Sequence, residues 1–172
     1  MPVTNKTEVW LRGSLPGILP ALQPVAHALL QTREEMNRLM EGFPETMLWQ
    51  QPAGTASVGF HLQHMAGVLD RLFAYAKGRS LSETQINQLA AEGRGEAGDT
   101  APLQVQGFAR QVDLSLTQLI NTSAGELFET RGVGRAQIPS TVMGLLAHAA
   151  EHTMRHLGQL LVTVKVVRAA AE

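Results

Sequence analysis

The chain has no cysteine, and that absence removes a disulfide framework, a thiolate nucleophile and any zinc site built on sulfur. Any metal must then be held by His, Asp or Glu. Positive charge is not in excess: 14 Lys and Arg stand against 15 Asp and Glu, for a net charge of -1. No segment concentrates the basic residues, which argues against binding nucleic acid through its phosphates. No apolar run approaches the ~20 residues that span a bilayer, and the polar Met1 to Thr7 stretch lacks the order of a secretory leader. The expectation is a cytoplasmic protein without membrane segments. Charged residues make up only 17% of the chain against 44% apolar, a composition that buries a core and does not stay disordered. At 172 residues, one domain over 1–172 is expected.

What the chain does have is helical periodicity, divided by Pro, Gly and Ser into four long segments and one short one. The first runs from about Pro20 or Pro24 to Glu41, with Val25, Leu29, Leu30, Met36, Leu39 and Met40 at helical spacing, and stops at Gly42 and Phe43-Pro44. The second runs from about Ser57, as N-cap, to Lys77, with Gly78 as the stop. A short helix follows from Ser82, where Ser-Glu-Thr-Gln has capping-box spacing, to near Gly93. Gly93 to Gly98 is small and charged, lacks an apolar anchor, and reads as a surface loop. The third long helix starts after Thr100 with Pro102 in its first turn and ends at Asn121 to Ser123. Between Ala124 and Ile138 the glycines and polar residues indicate a structured connection whose form the pattern leaves open. The last helix spans about Thr141 to Arg168, with Ser140 as N-cap. Four long helices and one long crossover connection define an all-α four-helix bundle. Trp10 and Trp49 read as packing residues.

Five of the six histidines fall in two clusters, His61 with His64 and His148 with His152 and His156. At about 100° per residue the latter three cover roughly 80° of helix circumference, a polar stripe beside the core face. On the second helix, Ser57, His61, His64, Val68, Arg71 and Tyr75 share a face. Histidines one turn apart can converge on one ion, and two facing helices can supply three ligands and leave a position for water or substrate. The spacing alone allows His61 in place of His64, or His148 in place of His156. It equally fits histidines that merely line a polar core. Arg71 and Tyr75 are candidate substrate contacts, and Arg71 fits a structural pair with a carboxylate as well. There is no H-E-x-x-H, so a protease-like general base is not indicated.

Three segments together resemble the DinB-like family of four-helix-bundle metalloproteins over nearly the whole chain. Residues 57–67, Ser-Val-Gly-Phe-His-Leu-Gln-His-Met-Ala-Gly, are similar to the family's second-helix motif, whose last histidine is a ligand. Residues 148–159 are similar to its H-x3-H-x3-H-x-G-Q signature, and Trp49-Gln50-Gln51-Pro52 resembles the tryptophan-proline element before the second helix. The resemblance implies His64, His152 and His156 as metal ligands, with His61 and His148 as competitors or supports. It also implies a divalent ion, zinc or nickel, a homodimer, and thiol-dependent transfer with a low-molecular-weight thiol as co-substrate. A small-molecule substrate is expected; its identity is not, because a fold does not name one.

Two classes of function follow. One is a metal-dependent enzyme that transfers a thiol to a small electrophile or hydrolyses its substrate. The other is a non-catalytic, stress-associated dimeric bundle whose metal is structural. For the dimer, the N-terminal segment offers Leu11, Leu15, Ile18 and Leu19, expected to be exposed because the prolines around them oppose deep helical packing.

Overall fold

The computed structural model describes residues 7–170; all of the Met1 to Thr7 stretch except Thr7 lies outside them. Five α-helices carry the fold: α1 Gln23–Met40, α2 Val58–Ala76, α3 Glu83–Ala91, α4 Ala101–Ile120 and α5 Val142–Ala169. A two-stranded hairpin, β1 Thr130–Val133 and β2 Ile138–Thr141, joins α4 to α5. α1 and α2 each pack against both α4 and α5, and the short α3 lies on α2. The apolar stripes meet in one cluster that includes Leu29, Met36, Leu62, Leu69, Phe108, Leu119, Leu146 and Leu160, all without solvent exposure. Burial of that kind contributes roughly 1.5–3 kcal/mol per large side chain. No helix among the described residues is long and apolar enough to cross a membrane.

The helix ends follow the local chemistry. Ser57 Oγ accepts from the Phe60 amide at 3.1 Å, and Ser82 and Gln85 form the reciprocal capping box. Thr100 caps α4, with Pro102 in its first turn. α1 begins at Gln23 after a 3-10 turn, Pro20–Leu22.

Some expectations change. The N-cap of α5 is Thr141, whose hydroxyl accepts from the Gly144 amide at 3.0 Å. Ser140 is instead opposite Arg131 in the β-ladder, so the strand extends past the residue read as the cap. The open connection is the hairpin, turned through Gly134 and Gln137 at positive φ. Ile18 is buried, and Leu15 and Leu19 are half-buried, because the segment before α1 folds back onto the bundle. The Gln23 side chain fastens it, accepting from the Leu15 amide and donating to the Leu15 and Ile18 carbonyls. The prolines shape this path without preventing packing. Trp10, in contrast, is 60% exposed and donates its indole N–H to Glu8 at 2.6 Å, so it is no core residue.

Candidate metal centre

Ser57 starts α2 so that His61 and His64 lie within its first two turns, facing α5. His61 Nδ1 lies 3.1 Å from His156 Nδ1, and His64 Nε2 lies 2.9 Å from His152 Nε2. Rising along α2 thus matches falling along α5, and the two helices are antiparallel where they meet. His64, His152 and His156 each offer a ring nitrogen within 4.8 Å of the other two. A tetrahedral site with bonds of about 2.0–2.1 Å separates its nitrogens by about 3.3 Å, so these three can hold one ion with small rotamer adjustments. Among the described residues no further His, Asp or Glu joins this group.

His64 is oriented from outside the cage. Its Nδ1–H donates to Glu92 Oε2 at 2.6 Å, which leaves Nε2 as the lone-pair nitrogen facing His152. Glu92 follows α3 and is itself paired with the Arg71 guanidinium at 2.7 Å, both side chains being under 10% exposed. Burial by itself would raise the Glu92 carboxyl, but hydrogen bonds from His64 and Arg71 outweigh it and hold the group below the ordinary carboxylate range. The pair lies directly over Gly67, where a Cβ would stand 2.6 Å from Arg71 Nη1 and 2.7 Å from Glu92 Oε1. Glycine at 67 is therefore what lets a charged pair settle on α2.

His156 is oriented by a neutral partner. His61 is only 3% exposed, and burial first, then repulsion from His64, brings it down to about 4. His156 also falls to about 4, through burial and then the histidines around it, and burial lowers His152 as well. Near neutral pH these imidazoles are uncharged, the form that coordinates metal. Phe60 stacks on His64 at 5.2 Å between centroids and screens that side of the cage.

Other candidates fall elsewhere. His148 is about half exposed, 3.5 Å from Glu151, and outside the three-histidine group. Tyr75 packs against the core 11 residues along α2 from His64, about 16 Å down the axis at 1.5 Å per residue, and is not brought to the cage. Arg71 reaches it only through Glu92.

Glu92 is the residue that sequence reasoning passed over. A signal existed: Arg71 sits on the histidine face, yet α2 offers no carboxylate three or four residues away, so a partner had to come from another element. The loop after Glu92 is exposed as expected, but it is not unanchored. Gly95 lies against the Trp49 indole, which also covers Gly59, and the Gly93 amide donates to Gln63 at 2.9 Å. Trp49 is the packing residue expected.

The sequence profile of the DinB superfamily matches residues 28–160, which include the three histidines, Arg71 and Glu92. No curated protein matches the chain. The match covers more than half of the chain, and the chain belongs to the DinB superfamily.

Proposed function

From membership of the DinB superfamily we propose that this protein is a metal-dependent enzyme, with His64, His152 and His156 as the ligands of one divalent ion, zinc or nickel. The observation that carries this reading is the convergence of three ring nitrogens, two of them on histidines pre-oriented by Glu92 and His61. An all-nitrogen donor set suits either metal. Three protein ligands leave a coordination position open, and a closed structural site would need a fourth.

An ion held there would supply the positive charge that brings bound water toward a pKa of about 7 and holds a bound thiol as its thiolate, either giving a nucleophile in a chain without cysteine. The protein's own contribution is orientation. Glu92 fixes the His64 tautomer and adds negative charge behind it, while His61 accepts from His156 and fixes the other ring. Phe60 keeps water from one face. The substrate of this reading is a small electrophile, with a low-molecular-weight thiol as co-substrate, or an ester or amide for hydrolysis.

Elemental analysis of purified protein should give one divalent ion per chain. Titrating the cobalt(II)-substituted protein with a small thiol or azide should then change its visible spectrum. A bound ion whose spectrum ignores both would favour the structural-metal alternative. We also propose a homodimer, since Trp10 and Leu11 remain 60% and 56% exposed after the rest of their segment has packed. Sedimentation at micromolar concentration should give twice the 18.6 kDa of one chain, and a monomer mass would remove this part.

A further inference from the structure

His61 is more than nine-tenths buried, yet only half of its hydrogen-bonding capacity is used. Its Nδ1 faces His156, whereas its Nε2 has no protein partner among the described residues. That nitrogen is not sealed in the core either, because the buried, unbonded side-chain atoms there do not include it. The space His61 borders is a cavity of about 640 Å³ between the loop before α2 and the C-terminal half of α5. Pro52, Ala53, Ala56, Gly158, Val162 and Val166 make its wall mostly apolar, and the uncharged Thr55, Gln159 and Thr163 complete it. Arg155 reaches the rim, but its charge is already matched by two bonds to Glu151, at 2.9 and 2.6 Å.

We infer that this cavity binds a small, uncharged molecule with an apolar body and a carbonyl oxygen, and that His61 Nε2–H donates to that oxygen. The donor assignment rests on the metal reading above. If His156 coordinates through Nε2, its Nδ1 carries the proton and donates to His61 Nδ1, so His61 carries its own proton on Nε2. A donor at the edge of a mostly apolar space favours a ligand that places an acceptor at that point and its apolar body on the wall. A carboxylate would meet no unpaired cation at the wall, and its burial would be penalised, so an uncharged carbonyl is the better match. The volume falls in the range of pockets that enclose small organic ligands, where apolar walls and a few polar points divide affinity from orientation. The ligand would thus lie one imidazole away from the metal-binding ring of His156.

Benzophenone and diphenylmethane form a suitable pair of probes, with nearly the same body and a single carbonyl between them. Isothermal titration of the metal-loaded and metal-free protein should show benzophenone binding roughly 3- to 10-fold more tightly, the range of one hydrogen bond. His61→Phe should erase the difference while keeping diphenylmethane binding. Val162→Trp, at a residue 59% exposed, should block both compounds and leave the metal content at one equivalent. Equal affinity for the two probes, or a preference that survives His61→Phe, would overturn the proposal. So would a metal-loaded protein that binds neither, which leaves the metal reading intact. A protein that takes up no divalent ion but still prefers benzophenone through His61 would refute the metal reading and support the cavity. A dimer turned monomeric by Val162→Trp, with neither probe bound to the parent protein, would instead assign the cavity to a second copy of the chain.

Discussion

The two supported histidines of the cage are held in opposite ways. His64 leans on a buried carboxylate that is itself clamped by Arg71, with the partner delivered from the end of α3. His156 leans on His61, an uncharged ring of the neighbouring helix α2. A carboxylate behind an imidazole raises its basicity as well as fixing its tautomer, whereas a neutral ring mainly fixes the tautomer. One flank of the site therefore adds charge to the ligand set, and the other adds geometry.

The comparison depends first on the three rings being the ligands. His64→Ala, His152→Ala and His156→Ala should each weaken metal binding by more than about 100-fold, beyond the range that outer supports usually command. Competition with a chromogenic chelator would measure it, and tight binding retained in His64→Ala together with loss in His61→Ala would reverse the assignment.

The flanks come next. Glu92→Gln removes the charge and should cost about 10- to 100-fold in affinity, while His61→Ala should fall at the lower end of that range and the exposed His148→Ala below it. If His61→Ala cost more than Glu92→Gln, charge would not be what distinguishes the two sides.

Gly67→Ala tests the charged flank without touching either partner. Alanine should favour the isolated helix by about 1 kcal/mol, but its Cβ would sit within 2.6 Å of the Arg71 guanidinium. Metal affinity should drop by a smaller factor than in Glu92→Gln, with little change in the unfolding midpoint. Unchanged affinity would mean the pair can shift without disturbing His64.

Acid should separate the flanks in the metal-free protein. Unfolded imidazoles take up protons near 6.5, but His61 and His156 do so only near 4 in the folded chain. Between those values the unfolded state binds more protons, so stability falls as pH drops from about 6.5 toward 4. Glu92 acts lower: its folded value is below the ordinary 4.5, so its contribution persists above 4.5 and is lost beneath it. Urea midpoints should be level above pH 6.5 and decline below it; a level line down to pH 4 would contradict the neutral flank.

How far the sequence reached follows the range of the physics involved. Caps at Ser57 and Ser82, and the start of α4 after Thr100, depend on neighbours a few residues away and were legible. The cage histidines were legible as two stripes, because a helix converts spacing into direction. Glu92 was not, since 28 residues separate it from His64 and no local pattern marks a loop carboxylate as buried. Ser140 was misread as the cap because strand pairing with Arg131, a tertiary event, overrode a local preference. Ile18 was misread because its burial depends on Gln23 gathering the chain before α1, and proline content alone says nothing of that.

The seat of Trp49 has a practical consequence. Its indole rests on Gly59 of α2 and on Gly95 of the loop that follows Glu92, so it bridges the helix bearing His64 and the segment bearing that histidine's partner. The other indole, Trp10, stands largely in water in the segment before α1. A Trp10→Phe protein, excited at the red edge where Tyr75 does not absorb, would carry a single tryptophan whose wavelength and quenching follow whether that loop is seated. Stopped-flow refolding watched through this one fluorophore would time the arrival of Glu92 separately from the collapse of the bundle.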